Sequence, residues 1–201
     1  IVTDAEVRSL RELPPAKIRL LDVTPRALIA LSGDELPRGY RRTLAGFRYG
    51  GAAAKVDFAL SGPVPWADPR VAAAGTVHLG GTRAEIARAD NEVCRGRHPE
   101  HPYVLVSQPS TLDDSRAPAG MQTLWAYTHV PSGSDLDRTE AVIRTIERVA
   151  PGFRDVIVAH HSRTALQEQE QNPNYVGGDI AAGAATLRQL LSRPTLSSQP
   201  W

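Results

Sequence analysis

The segment from Ala53 to Ser61 constrains this chain more than any other. In it Ala54, Val56, Phe58 and Leu60 alternate with Lys55, Asp57 and Ser61. Successive side chains of a strand point to opposite sides of a sheet, so this alternation predicts a strand with one apolar face in a core and one polar face outside it. Gly62-Pro63 ends the strand. The following Pro63-Val64-Pro65-Trp66, with Pro69, is too stiff and too poor in N–H donors to lie inside a sheet.

Other elements arrange themselves around this strand. Ile18-Arg19-Leu20-Leu21-Asp22-Val23 reads as a short buried strand, and Thr24-Pro25 then opens a short helix through Leu31 that Ser32-Gly33 closes. Tyr40 to Leu44 reads as a connection leading into the next extended segment. Gly75 to Gly80 is a strand, and Thr82-Arg83-Ala84-Glu85 is a capping box that predicts a helix to about Arg95, burying Ile86, Ala89 and Val93. Tyr103 to Ser107 and Gln122 to Val130 are further strands. Leu136, Val142, Ile143, Ile146, Val149 and Ala150 form the stripe of a helix that Pro151-Gly152 stops, and residues 154–171 turn steadily polar. Asp179 reads as the cap of a last helix with Ala182, Leu187 and Leu190 on its apolar face. Strands in a cluster with helices between some of them predict an α+β fold: a mixed, largely antiparallel sheet flanked by helices.

Composition narrows the partners. A chain of 201 residues can bury a full core without disulfides or metals, and no apolar run approaches the roughly 18 residues of a membrane span. The net charge of +1 argues against nucleic acid, whose partners carry clustered basic residues. A single cysteine, Cys94, excludes an internal disulfide and fits a reducing, cytoplasmic setting. Lys17 and Lys55 are the only lysines among 23 basic residues, which singles out Lys55 in the middle of the alternating strand.

Chemistry-bearing motifs are few. Cys94, His98 and His101 lie close together, but Pro99 and Pro102 deny them a common helical face and a fourth ligand is missing, so no metal is expected. The pair His160-His161 reads as one buried and one exposed side chain. No nucleophile elbow, P-loop or Gly-x-Gly-x-x-Gly occurs. Lys55 in a partly desolvated cleft could hold a water or shift its protonation, or it could pair with Asp57 on a solvated face. The glycines of Asn174-Tyr175-Val176-Gly177-Gly178-Asp179 would let backbone approach a flat ligand, or would simply form a turn before a capping Asp179. Trp125, Tyr127 and His129 share a strand face and could wall an apolar cavity; ordinary sheet packing gives the same pattern.

Three segments together carry a resemblance: Asp22-Val23-Thr24-Pro25-Arg26-Ala27-Leu28, then Tyr49-Gly50-Gly51 through Lys55-Val56-Asp57 to Gly62-Pro63-Val64-Pro65-Trp66, and Asn172-Pro173-Asn174-Tyr175-Val176-Gly177-Gly178-Asp179-Ile180. They resemble bacterial FAD-dependent oxidoreductases of the phytoene-desaturase-like and amine-oxidase superfamily. The resemblance implies the substrate-binding portion of such an enzyme. Residues 1–33 would be a remnant of the FAD-binding domain, 34–195 the substrate-binding domain, and 196–201 a frayed tail leading toward a further FAD-binding segment. It implies hydride transfer from an apolar or amine small molecule to FAD, with the dinucleotide held by other segments of the parent chain and no turnover by these residues alone. Self-association into a homo-oligomer is compatible with it. Lys55 would then be the catalytic lysine that reaches the flavin through a water, and Gly177, Gly178 and Asp179 would approach the isoalloxazine. Trp125, Tyr127, His129 and Tyr175 would contact substrate. The competing expectation is a non-catalytic ligand-binding or assembly module without flavin.

Overall fold

A computed structural model describes residues 1–192, 194 and 195. The expected frayed tail, 196–201, lies outside the described residues. The fold is α+β: five strands, β1 (Ala52–Leu60), β2 (Thr76–Leu79), β3 (Val104–Ser107), β4 (Gln122–Val130) and β5 (Ile157–Arg163), form one sheet in the order β2-β3-β4-β1-β5. Every neighbouring pair is antiparallel. Helices α1 (Pro25–Ser32), α2 (Arg38–Ala45), α3 (Arg83–Cys94), α4 (Thr139–Glu147), α5 (Ala165–Gln171) and α6 (Leu187–Leu191) flank it.

The alternation of β1 becomes the layering of the molecule. Val56, Phe58 and Leu60 join Leu124 and Ala126 of β4 and Val104 and Val106 of β3 in a core that Val142, Ile143 and Ile146 of α4 cover. Phe153 is wholly buried and meets Phe58 edge to face, with ring centroids 5.4 Å apart, a geometry that adds to the area each ring hides from water. The Pro-rich loop after β1 is tied down by Trp66, whose Nε1 donates to Oε1 of the buried Gln108 at 2.9 Å. The capping box forms as the spacing requires: Thr82 N–H donates to Glu85 at 2.7 Å, and Ala89 and Val93 of α3 are buried while Ile86 is half-buried.

Five local expectations are corrected. Residues 18–23 form no ladder, and Ile18 and Leu20 stand 76% and 92% exposed. A strand needs a partner edge as well as apolar residues, and here none reaches it. Tyr40–Leu44 lies within α2, anchored by the one buried side chain Leu44. The stripe of α4 is shorter than expected, since the helix begins at Thr139 and Leu136 and Val149 are exposed. The polar stretch after residue 154 contains β5, where His160 and His161 are both exposed because an edge strand has little on either face. Asp179 caps no helix: α6 starts later, with Thr186 as its cap, and Leu187 and Leu190 are exposed.

Candidate functional site

The opposite face of the same sheet is polar and aromatic. Register places His78, Leu105, Tyr127, Lys55 and Arg163 in one row across all five strands, and Thr76, Ser107, Trp125, Asp57 and His161 in the next. Trp125 and Tyr127 lie nearly parallel, with centroids 6.3 Å apart and planes 13° apart. Lys55 Nζ sits 5.9 Å from the centre of the Trp125 ring, close enough for the ring face to attract the ammonium.

Helix α5 and the segment after it turn this face into a cavity of about 630 Å³, lined among others by Lys55, Trp125, Tyr127, Arg163, Glu168 and Tyr175. The structure therefore brings together four residues singled out from sequence, Lys55, Trp125, Tyr127 and Tyr175. Lys55 contacts both carboxylate oxygens of Asp57, so the ion-paired arrangement and the cleft location are both present. Its side chain is 25% exposed.

His129 is placed differently. Its Nδ1 lies 2.8 Å from Asp90 on α3, and its ring packs against Tyr103 at 5.3 Å and Tyr127 at 6.0 Å. It supports the aromatic floor from the side without lining the cavity. Tyr103 in turn bonds His78. Burial above all, with Tyr127 and Asp90 nearby, raises the pKa of the Tyr103 hydroxyl and keeps it protonated.

Gly177 and Gly178 meet protein. Both have positive φ, +66° and +86°, and a Cβ would fall 2.1 Å from Ser132 Oγ at the first and 2.5 Å from Ala165 Cβ at the second. The Gly177 N–H donates to Gln169 Oε1 at 2.7 Å and the Gly178 N–H to Tyr175 O at 2.7 Å. Asp179 is fully buried and accepts from the N–H groups of Gly50 at 2.6 Å and of Ala181 and Gly183 at 2.8 Å each. These three residues fasten the loop that carries Tyr175. A carboxylate with three amide partners is satisfied without a ligand.

Arg163, Glu168 and Gln171 were not foreseen. Arg163 Nε donates to Glu168 Oε1 at 2.9 Å and its Nη1 donates to Gln171. The signal available was Thr164-x-x-Gln167, a second capping box, which the structure shows starting α5. Asn172 and Tyr175 also border a neighbouring cavity of about 360 Å³ at the start of α1, where Asn174 Oδ1 accepts the Thr24 N–H at 2.9 Å.

The stacked rings give the cavity a flat floor, with Lys55 and Arg163 also in its lining, while the Gly177 and Gly178 amides are engaged within the protein. Among the described residues no group of His, Cys, Asp or Glu side chains could hold a metal ion. Likewise, no helix among them is long and apolar enough to cross a membrane. No protein-family model matches the chain, and no curated protein matches it significantly.

Proposed function

We propose that this chain is the substrate-binding portion of an FAD-dependent oxidoreductase of the phytoene-desaturase-like and amine-oxidase type, with its site in the sheet-face cavity. The observation that supports the reading is the convergence of Lys55, Trp125, Tyr127 and Tyr175 on that one cavity. The reading requires FAD to be presented by polypeptide outside these 201 residues.

Such a flavin would supply the acceptor for a hydride leaving a substrate C–H bond, in an amine the C–H bond next to nitrogen. The chain's own residues supply the rest. Trp125 and Tyr127 give the substrate a flat apolar surface and Tyr175 adds a further wall of the same cavity, so that a bound substrate is oriented. Asp57 holds the Lys55 ammonium in one place over the floor. From there Lys55 can fix a water molecule or move a proton at Nζ.

The test is direct. The full-length gene product should carry the two visible absorption bands of oxidised flavin, and Lys55→Met in that product should slow flavin reduction or reoxidation about a hundredfold. Stability should stay within about 0.5 kcal/mol, since Lys55 lies on the open face. A colourless full-length protein would overturn the oxidoreductase in favour of a binding or assembly module. Unchanged stopped-flow traces would remove Lys55 from the mechanism.

A further inference from the structure

The cavity holds more hydrogen-bond donors than it can use. Among the described residues, Arg163 Nη2 and the hydroxyls of Tyr127 and Tyr175 have no partner. Lys55 hydrogen-bonds to the two Asp57 carboxylate oxygens, which leaves its third N–H beside the Trp125 ring. Glu168 is the one carboxylate in the lining, and its Oε1 accepts from Arg163 Nε.

The charges are unequally screened. The side chains of Lys55 and Arg163 are each 25% exposed, whereas that of Asp57 is 43% exposed and lies outside the lining. Water weakens the field of Asp57 more than those of the two cations. Glu168, with a side chain only 7% exposed, is paired with Arg163 and Asp57 with Lys55, so the formal charges cancel and what the cavity offers an anion is the unpartnered edge of Arg163. The Arg163 guanidinium is also held still: Glu168 and Gln171, one turn apart on α5, grip Nε and Nη1. Its remaining edge is thereby set in place before a ligand arrives, and guanidinium donors bond carboxylates more strongly than neutral acceptors.

We propose that the cavity takes a planar aromatic or conjugated molecule bearing a single carboxylate, its ring on Trp125 and Tyr127 and its carboxylate at Arg163. The inference rests on reading this cavity as the ligand site, and it narrows the substrate: a simple cationic amine is disfavoured by Lys55 and Arg163, and a wholly apolar molecule leaves their donors unused.

Calorimetric titration of the chain with three probes of nearly one shape tests it: indole-3-acetate, indole-3-acetamide and tryptamine. The expected order of affinity is anion, then amide, then cation, with at least about tenfold between first and last. Arg163→Gln should weaken the acetate about tenfold and leave the acetamide unchanged. Because Arg163→Gln strands the nearly buried Glu168, the double variant R163Q/E168Q repeats the measurement without an unpaired charge. Tyr175→Ala should weaken the acetate and the acetamide alike. Tryptamine binding as tightly as the acetate, equal losses for acetate and acetamide on removing Arg163, or no binding by any probe would each overturn the proposal. Flavin plays no part in this readout. A colourless parent with an anion-selective cavity would sink the oxidoreductase alone, and a yellow parent whose cavity prefers the cation would sink this inference alone.

Discussion

Alternate residues of β1 and β4 live in two different solvents. On one side Val56, Phe58, Leu60, Leu124 and Ala126 are sealed beneath α4. On the other Lys55, Trp125 and Tyr127 line a cavity and remain half-exposed, as does Asp57 beside them. The sealed side holds its shape by close packing, and the fully buried Thr128 of β4 is satisfied there by donating to the Tyr103 carbonyl at 2.7 Å. The open side carries charges, hydroxyls and two large rings that a core would penalise, and it keeps them in register because the same backbone serves both sides. A sheet with one face committed to stability can spend the other on recognition.

The largest effect expected from this contrast is in stability. Phe153→Ala should cost about 3–5 kcal/mol in urea unfolding, since it empties a fully buried ring site against Phe58. Tyr127→Ala on the open face should cost about 1 kcal/mol or less. Equal losses would mean that the open face is a second core, and the contrast would fall.

The loop that walls the cavity comes next. Gly178→Ala places a methyl group 2.5 Å from Ala165 Cβ at a φ of +86°, and about 1–3 kcal/mol of destabilisation is expected. Ligand affinity should fall with it, because Tyr175 rides on the same loop. A neutral result in both measurements would show that the loop is not a fixed wall.

The smallest effect is a pH slope at the rim of α4. Burial pushes the Asp137 carboxyl up, but this is outweighed by hydrogen bonds from the Thr139 hydroxyl and N–H and from Ser162, so its pKa is lowered overall. Its stabilisation is therefore complete above the ordinary carboxylate range and fades as pH falls through the lowered value. Burial first, and then Arg138, lowers the pKa of His98. The folded protein resists protonating it, so stability declines as pH drops below about 6.5 toward that lowered value, where the unfolded chain already binds the proton. Two successive declines in acid are expected. Asp137→Asn should flatten the second and leave the first; no change in either would contradict the assignment.

How much of this could be read from residues alone followed the same division. Strands β1 and β4 alternate strongly because one side is sealed, and α3 announces itself by its capping box. Edge strand β5 has little covering either face, so its residues carry no period, and Arg163 and the first turn of α5 went unseen with it. Helix α2 has the single buried anchor Leu44 among five exposed or half-exposed polar side chains, too few apolar positions for a stripe. Residues 18–23 show the opposite failure: the apolar composition of a strand is present, but pairing is a property of the neighbour. In the site, Lys55, Trp125 and Tyr127 were legible from alternation, and Tyr175 from the resemblance. Glu168 and the direction of His129 depend on which helix packs where, which no local pattern records.

The position of β1 in the sheet also bears on how the protein is made. Of the five strands of this sheet it is the first to emerge during synthesis, yet its ladders join Leu60 to Gln122 and Lys55 to Arg163. Contacts between segments so far apart form slowly. Until residues 157–163 have left the ribosome, β1 has at least one raw edge flanked by Phe58 and Leu60, the kind of surface to which nascent chains stick and chaperones bind. A stalled or shortened product ending before β5 would keep that edge for good, so aggregation of such products is the cost of placing the earliest strand at the centre of the latest pairings.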